Sequence, residues 1–263
     1  MRRLFSILLV LLVISSCAGE NFESLVKEKK YEQAFVLAKE KYVSTKDIGH
    51  LKDALFAANE YLEDANAALP ILQNHYTSRG NYEGIENLAA LTYYNSALSF
   101  YRKDNYDSAL ILAREAFSVK QNYSKALLLM GKAMVRSGDL KQGYLEIERA
   151  VFMDSTLSDG YTFLANIKLI EGRNEDAEEL YRKAVKVSES YYEGWMNLGE
   201  FLWATKRGKE SLDCFRKALS IDSTRIDAYD RLINFFTAID RMDSVMKYMD
   251  AYQRITGVNL RFQ

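Results

Sequence analysis

Residues of the types that usually carry chemistry are scarce in this chain of 263 residues, which contains two histidines and two cysteines. His50 and His75 have no cysteine or second histidine at metal-ligand spacing, so we interpret them as surface or capping residues. Cys214 lies in an apolar stretch of a predicted helix with no histidine nearby, which indicates a buried structural thiol and not a nucleophile. The sequence therefore predicts neither an enzyme nor a site for a metal or cofactor.

Two further chemical signatures are also weak. Glycines occur singly, in turns such as those at Gly138 and Gly172, so the chain has no glycine-rich loop that could cradle a phosphate. The acidic residues Asp176, Glu178 and Glu179 fall on the solvated face of a predicted helix. We interpret this acidic cluster as surface charge.

The composition favours an all-helical protein. One proline and 13 glycines are too few for a β-sandwich or barrel, which needs many turn residues. Basic residues number 35 and acidic residues 36, so the net charge of −1 creates no field that would attract nucleic acid. Two cysteines cannot supply a disulfide framework, and stability must come from helix packing.

The first 17 residues, MRRLFSILLVLLVISSC, have the pattern of an export signal. Two arginines precede an apolar run over 4–14, which is too short for a spanning helix but suits the core of a signal peptide. The ending Ile-Ser-Ser-Cys17 resembles the lipobox of bacterial lipoproteins. An ordinary cleaved signal with an incidental cysteine is the alternative.

The lipobox resemblance implies a location for the mature protein. Residues 1–16 would be removed, Cys17 would carry the acyl chains, and 17–21 would form a short anchor linker. Several acyl chains together give firm membrane attachment. Ala18 stands where aspartate would retain a lipoprotein at the inner membrane, so the Gram-negative sorting rule points to the outer membrane.

A repeat of 34 residues organises the rest of the chain. Its eighth position is small in four consecutive units, at Ala97, Gly131, Ala165 and Gly199. This length and pattern resemble the tetratricopeptide repeat, a helix-turn-helix unit. The resemblance implies an all-α fold, a right-handed α-solenoid. The five units span 90–123, 124–157, 158–191, 192–225 and 226–253.

Side-chain sizes explain how such units would stack. Small residues at the eighth position let the two helices of a unit approach closely, while Tyr181 and Phe215 are expected to fill the space between neighbouring units. The final unit has larger residues at the small positions, such as Tyr252. We therefore interpret it as a C-terminal cap, followed by a tail over 254–263.

The pattern is weaker over 22–89. Ala34 and Ala68 are 34 residues apart, and the sequence predicts helices over about 47–62 and 66–77. A slip of seven residues before 90 equals about two helical turns, so it would lengthen a helix without rotating its apolar face. These features indicate a degenerate repeat region, and a non-repeat helical cap is the alternative.

The tetratricopeptide resemblance also implies a binding surface, because the first helix of each unit lines a concave groove in that family. The groove would run from basic to acidic, with apolar anchors along it; an ordinary mixed surface is the alternative. The implied groove residues are Tyr94, Leu98, Tyr101, Arg102, Lys125, Leu128, Lys132, Arg136, Asp159, Thr162, Asn166, Glu193, Met196, Glu200, Trp203, Asp227, Asp230 and Asn234.

These features together predict a scaffold or adaptor in a bacterial cell-envelope assembly. The protein would be anchored to the membrane through its lipid and would hold an envelope protein or peptide segment in the groove. The alternative is a lipoprotein that captures glycan or peptide ligands as nutrients. The 34-residue frame has no large insertion of the kind that helical glycan binders carry, so the adaptor is the first hypothesis.

Overall fold

The computed structural model describes residues 21–258, and every regular element in that range is a helix. The predicted all-α fold, of the solenoid class, is thereby confirmed. Cys17, the signal over 1–16 and the end of the predicted tail lie outside the described residues. The chain divides into two compact units, Met1–Asp139 and Leu140–Gln263. The division falls inside the predicted repeat 124–157, between its two helices.

The first unit begins with helices held by polar caps. The side chain of Asn21 accepts a hydrogen bond from the backbone of Ser24 at 2.8 Å, and that of Asp47 accepts one from Gly49 at 2.7 Å. The helices are α1 (Phe22–Lys27), α2 (Tyr31–Thr45), α3 (Ile48–Phe56), α4 (Leu69–Arg79), α5 (Glu86–Arg102), α6 (Tyr106–Val119) and α7 (Ser124–Arg136), with a π-helical segment at Ala57–Tyr61 and a 3-10 turn at Ala65–Ala68.

The second unit repeats one helix-turn-helix pattern. Asp154 and Asp222 each accept a hydrogen bond from the backbone amide of the threonine two residues later, which orders the turn between successive repeats. The helices are α8 (Leu140–Met153), α9 (Ser158–Ile170), α10 (Asn174–Val187), α11 (Tyr192–Ala204), α12 (Gly208–Ile221), α13 (Ile226–Ala238) and α14 (Met242–Thr256).

Two predicted boundaries fall inside helices. Helix α5 has 17 residues, against 13 in α7, so the predicted unit start at 90 lies within it. The extra four residues are about one helical turn, against the two turns that the seven-residue slip predicts, and both Ala89 and Ala90 are fully buried. Helix α14 runs past 253 to Thr256 and ends where Gly257 adopts a φ of +71°. The predicted tail therefore begins later.

The aromatic residues chosen from the sequence do fill the space between successive repeats. Tyr181 on α10 is 2% exposed, and its ring lies 5.6 Å from that of Phe201 on α11. Phe215 on α12 belongs to one core cluster with Leu232 and Phe235 of α13. Each aromatic ring therefore contributes to the core shared with the next repeat.

His75 is buried, which corrects its interpretation as a surface or capping residue, whereas His50 is partly exposed. The side chain of His75 is 1% exposed, and its Nδ1 atom lies 2.7 Å from the hydroxyl of Tyr42 on α2. A polar group is retained in a core when a partner compensates its lost hydration, and Tyr42 supplies that partner. The pairing joins residues far apart in the chain, so the local sequence around His75 does not reveal it.

Candidate partner-binding site

Helices α11 and α13 bring part of the predicted groove together. Residues at spacings of three and four share one helix face, which places four predicted groove residues along α11 and three along α13. Two adjoining depressions of about 340 and 270 Å³ lie between the helices, and we call them together the acidic groove. The predicted residues that line it are Glu193, Met196, Glu200, Trp203, Asp227, Asp230 and Asn234.

Two arginines of the acidic groove were not among the predicted residues. The guanidinium group of Arg225 lies 2.5 Å from the carboxylate of Glu193 and 3.0 Å from that of Asp227. The guanidinium group of Arg231 lies 2.8 Å from the carboxylate of Glu200. The groove is therefore less acidic than its predicted residues alone suggest. Opposite charges about one repeat apart in the sequence were the signal that could have revealed these pairs.

Asp227 and Asp230 differ in their surroundings although both face the same depression. Burial alone would raise the pKa of Asp227, but hydrogen bonds from the hydroxyl of Tyr192 at 2.6 Å and from Arg225 outweigh it and lower the pKa. The carboxylate of Asp230 makes no hydrogen bond or ion pair with another described residue, and burial raises its pKa. Asp230 is therefore the groove carboxylate with most to gain from a positive ligand group.

The second depression supplies apolar surface. Trp203 is 43% exposed, and its ring lies 5.2 Å from that of the buried Phe235. Met196 is only 7% exposed and contributes to the floor of the first depression. The ion pair between Glu200 and Arg231 borders both depressions. A ligand would therefore meet a charged depression beside an apolar one.

The remaining predicted residues of the second unit are largely occupied by internal contacts. Thr162 is buried and donates a hydrogen bond to the backbone carbonyl of Ser158. The amide oxygen of Asn166 accepts a hydrogen bond of 2.5 Å from the hydroxyl of Tyr181. Asp159 lies 3.4 Å from the hydroxyl of Tyr191. The contacts of Asn166 and Asp159 position aromatic side chains. Thr162 has little surface left for a ligand because it is buried.

The first unit contains the basic part of the predicted set, on α5 and α7. The ammonium group of Lys132 lies 5.3 Å from the centre of the Tyr101 ring, a cation–π contact. Leu128 is buried and belongs to the core. Arg102, Lys125 and Arg136 are exposed, and Tyr94 and Leu98 are half-buried.

Cys214 lies buried in α12. Cys214 is 5% exposed, and burial raises the pKa of its thiol to about 11, which confirms the structural interpretation of this residue. Within 21–258, no group of three or more histidine, cysteine, aspartate or glutamate side chains could hold a metal ion. No helix in the same range is both long and apolar enough to cross a membrane.

Sequence comparison identifies tetratricopeptide repeats in this chain. The family model described as the tetratricopeptide repeat matches residues 158–191 and 192–225, which are also the bounds of two units derived from the 34-residue spacing. A TPR repeat-containing protein of Dictyostelium discoideum is 29% identical over 96 residues, which are 35% of this chain and 36% of that protein. The chain thus aligns with about a third of that relative's length.

Solved structures show the same fold. A thermophilic TPR protein of Thermus thermophilus superposes with a TM-score of 0.54 and 15% identity, over 64% of this chain and 92% of its own. The protein MamA superposes with a TM-score of 0.50 and 17% identity, over 61% of this chain and 94% of its own. The fold is therefore that of tetratricopeptide repeat proteins.

Proposed function

We propose that this protein is a membrane-anchored scaffold that binds a segment of a partner protein in its acidic groove. One observation carries the proposal: residues selected from the repeat positions converge on two adjoining depressions between α11 and α13. Depressions between neighbouring helices are a common location for ligand sites. The rest of the second unit serves as the frame that holds these helices in place.

The charge of the groove indicates the chemistry of the partner. Four carboxylates face two guanidinium groups in the first depression, which leaves a net charge of −2 there. Asp230 has no ion-pair partner among the described residues, so a lysine or arginine of the partner would gain a direct pair with it. The ion pairs of Glu193 and Glu200 leave those carboxylates less available.

The apolar depression supplies the second part of the recognition. Trp203 is partly exposed beside Phe235, and aromatic side chains at such positions often contribute most of the binding free energy. A large apolar or aromatic side chain of the partner would cover the Trp203 ring. The expected partner segment therefore carries a basic residue close to a large apolar one.

The N-terminal pattern supports the cellular part of the proposal. Lipidation at Cys17 would anchor the chain to the outer membrane of a bacterium and keep the groove within the envelope. The proposed partner is accordingly an envelope protein, and the proposed role is in a multiprotein assembly there. Its support is the Ile-Ser-Ser-Cys17 ending and the apolar run before it.

Selection of short peptides from a random library tests the groove. We expect enriched peptides to combine a lysine or arginine with a nearby aromatic or large apolar residue. The Asp230→Asn variant, which removes the negative charge, should bind the best peptide about tenfold more weakly, a loss of about 1.4 kcal/mol in binding free energy. The Trp203→Ala variant should lose at least as much binding free energy. The matched control is Glu175→Gln, an exposed acid on α10. Equal affinities for all four proteins would refute the groove.

Metabolic labelling with a fatty-acid analogue tests the anchor. In a bacterial host, the wild-type chain should incorporate label and sediment with membranes, whereas Cys17→Ala should do neither. Cys214→Ala serves as the control because the Cys214 thiol is buried. Labelling that persists in Cys17→Ala would contradict the lipidation proposal.

A further inference from the structure

Helix α14 runs back along α13 towards the beginning of α13. The two helices are joined by residues 239–241 alone. The ring of Tyr248 on α14 lies 6.4 Å from that of Tyr229 and 5.6 Å from that of Phe236, both on α13. Two packed helices with so short a connection are antiparallel. The end of α14 therefore lies near Ile226, where α13 begins.

The charged depression of the acidic groove lies at the same end of α13. Helix α14 continues for eight residues beyond Tyr248 to Thr256, a length of about 12 Å, which brings its end level with the first turn of α13. Arg225, Asp227 and Asp230, at the beginning of α13, line the charged depression. The chain thus leaves α14 close to that depression.

The point at which the chain leaves α14 is well defined. Gly257 has a φ of +71°, and its amide donates to the backbone carbonyl of Gln253 at 2.8 Å. The amide of Val258 donates to the hydroxyl of Thr256 at 3.1 Å. A residue with positive φ ends a helix and turns the chain away from the helix axis.

The residues that follow have the chemistry expected of a groove ligand. We call residues 259–263, Asn-Leu-Arg-Phe-Gln, the Arg261 segment. It carries one positive charge between two large apolar side chains, Leu260 and Phe262. If the signal over 1–16 is removed, the other residues outside the described range are 17–20, which contain no basic residue. The Arg261 segment alone among them combines a basic residue with large apolar ones.

The Arg261 segment is long enough to reach the groove of its own chain. The four residues from Gly257 to Arg261 span about 13 Å when extended. The axes of neighbouring helices lie only about 8–10 Å apart, so Arg261 can pass the beginning of α13 and meet the charged depression. The apolar depression begins at Asn234, four residues and about 6 Å further along α13 from Asp230. The side chain of Phe262 covers that distance.

We propose that the Arg261 segment occupies the acidic groove of its own chain until a partner segment displaces it. The guanidinium group of Arg261 pairs with the carboxylate of Asp230, because Arg225 and Arg231 already pair with other carboxylates of the groove. Phe262 covers the exposed part of the Trp203 ring. This inference rests on the proposed function, since it gives the partner segment an internal competitor.

Covalent attachment makes this competition effective even when the contacts are few. A short tether gives an effective concentration in the millimolar range. An external segment then binds with an affinity reduced by the fraction of grooves that are open. The Arg261 segment therefore excludes weak basic ligands and admits a partner that makes more contacts.

Fluorescence of Trp203 measures occupancy of the groove without any partner. In the full chain carrying Trp195→Phe, Trp203 is the remaining tryptophan, and acrylamide quenching reports its accessibility. The pair Arg261→Asp and Phe262→Ala, which we call the segment variant, should raise the quenching constant about twofold because Trp203 loses its cover. The matched control is Lys247→Asp, the reversal of an exposed charge on α14, which should leave quenching unchanged.

Charge exchange distinguishes a specific contact from a general effect. Asp230→Lys should raise the quenching constant, and adding Arg261→Asp to it should restore protection of Trp203. A synthetic peptide of residues 257–263 should protect Trp203 in the segment variant at millimolar concentration. Equal quenching in the wild type and the segment variant would overturn the proposal. Protection that appears only as the chain dimerises would overturn it too, because the segment would then occupy a second copy.

This proposal and the scaffold proposal fail in different ways. If the segment protects Trp203 but no library peptide binds, the scaffold proposal alone fails. If a selected peptide binds the wild type and the segment variant equally well, the internal competitor alone is excluded. When both hold, the segment variant binds that peptide at least about fivefold more tightly than the wild type does.

Discussion

The two units of this protein connect helices that are about one repeat apart in the sequence, but with different chemistry. In Met1–Asp139, buried amides make the connection: Asn59 donates to Thr92 and accepts from Asn95, at separations of 33 and 36 residues. In Leu140–Gln263, exposed ion pairs at separations of 32 and 31 residues accompany an apolar core. Helices about one repeat apart are therefore connected by buried hydrogen bonds in the first unit and by exposed ion pairs in the second.

The difference helps to explain why the repeat pattern is weak over 22–89, in the first unit, and clear in the second unit. Close packing of glycine against an aromatic ring fixes residue size at set positions, which leaves a visible pattern in the sequence. Hydrogen-bonded amides fix specific pairs instead, and they accompany the π-helical segment at Ala57–Tyr61. Buried amide contacts of this kind thus preserve the spacing of the repeat while leaving a weaker pattern of residue sizes.

The largest expected effect comes from breaking the amide network. Asn59→Ala removes two donated hydrogen bonds, to Leu55 and Thr92, and leaves Asn95 without its acceptor. Because these groups are buried or half-buried, we expect the free energy of unfolding to fall by about 3 kcal/mol. Urea denaturation followed by circular dichroism measures it. Asn74→Ala, an exposed change on α4, is the control and should stay within about 0.5 kcal/mol.

A smaller effect should follow from crowding the apolar core of the second unit. A Cβ atom at Gly199 would lie 2.6 Å from the Phe215 ring, whereas one at Gly208 would lie 3.5 Å from its nearest neighbour, Phe235. Gly199→Ala should therefore cost about 1–2 kcal/mol, and Gly208→Ala should be neutral or stabilising. Fluorescence reports this unit alone, because both tryptophans, Trp195 and Trp203, lie in it. Equal costs for the two variants would contradict the packing argument.

The first unit should lose stability as the pH falls below about 6.5. The folded state lowers the pKa of His75 below its unfolded value near 6.5, so below that pH the unfolded chain binds more protons. The contribution of neutral His75 is present above about pH 6.5 and is lost as pH falls towards the folded pKa. Urea midpoints should therefore decline with acid in the wild type and in His50→Gln, but less in His75→Gln. Identical pH dependence in all three proteins would exclude His75 as the cause.

The smallest effect is expected at the ion pairs of the acidic groove. Arg225 is partly exposed and contacts Glu193 and Asp227, and exposed pairs contribute little because water and salt screen them. Arg225→Gln should lower the free energy of unfolding by about 0.5 kcal/mol, and less at high salt. Arg216→Gln, an exposed arginine of α12, is the control. A loss of several kcal/mol would show that the pair is structurally essential.

Periodicity made the packing of the second unit predictable. Gly199, Tyr181 and Phe215 recur at fixed positions because each repeat must fit the next, so size alone predicts their contacts. The tetratricopeptide resemblance, applied to that spacing, selected seven of the residues that line the acidic groove. Packing contacts that recur at a fixed spacing can therefore be predicted from the sequence alone.

Side-chain pairs formed between different helices could not be predicted in the same way. Arg225 and Arg231 lie outside the repeat positions that the family resemblance selects, yet they neutralise half of the charge of the groove's carboxylates. The pairing of His75 with Tyr42 depends on how α2 and α4 meet, and neither local sequence indicates it. Helix propensity and residue spacing describe one helix at a time, whereas these contacts depend on how two helices pack against each other.

Reciprocal charge exchange tests the central claim, that the acidic groove binds a basic partner segment, most directly. A peptide selected on the wild-type protein is remade with its lysine or arginine changed to aspartate, and the protein is remade as Asp230→Lys. Affinities of the four combinations are measured by calorimetry at two salt concentrations. Each single exchange should weaken binding, and the double exchange should restore it with a coupling of about 1.5 kcal/mol or more. Additive losses with no restoration would contradict the assignment of Asp230 and of the groove.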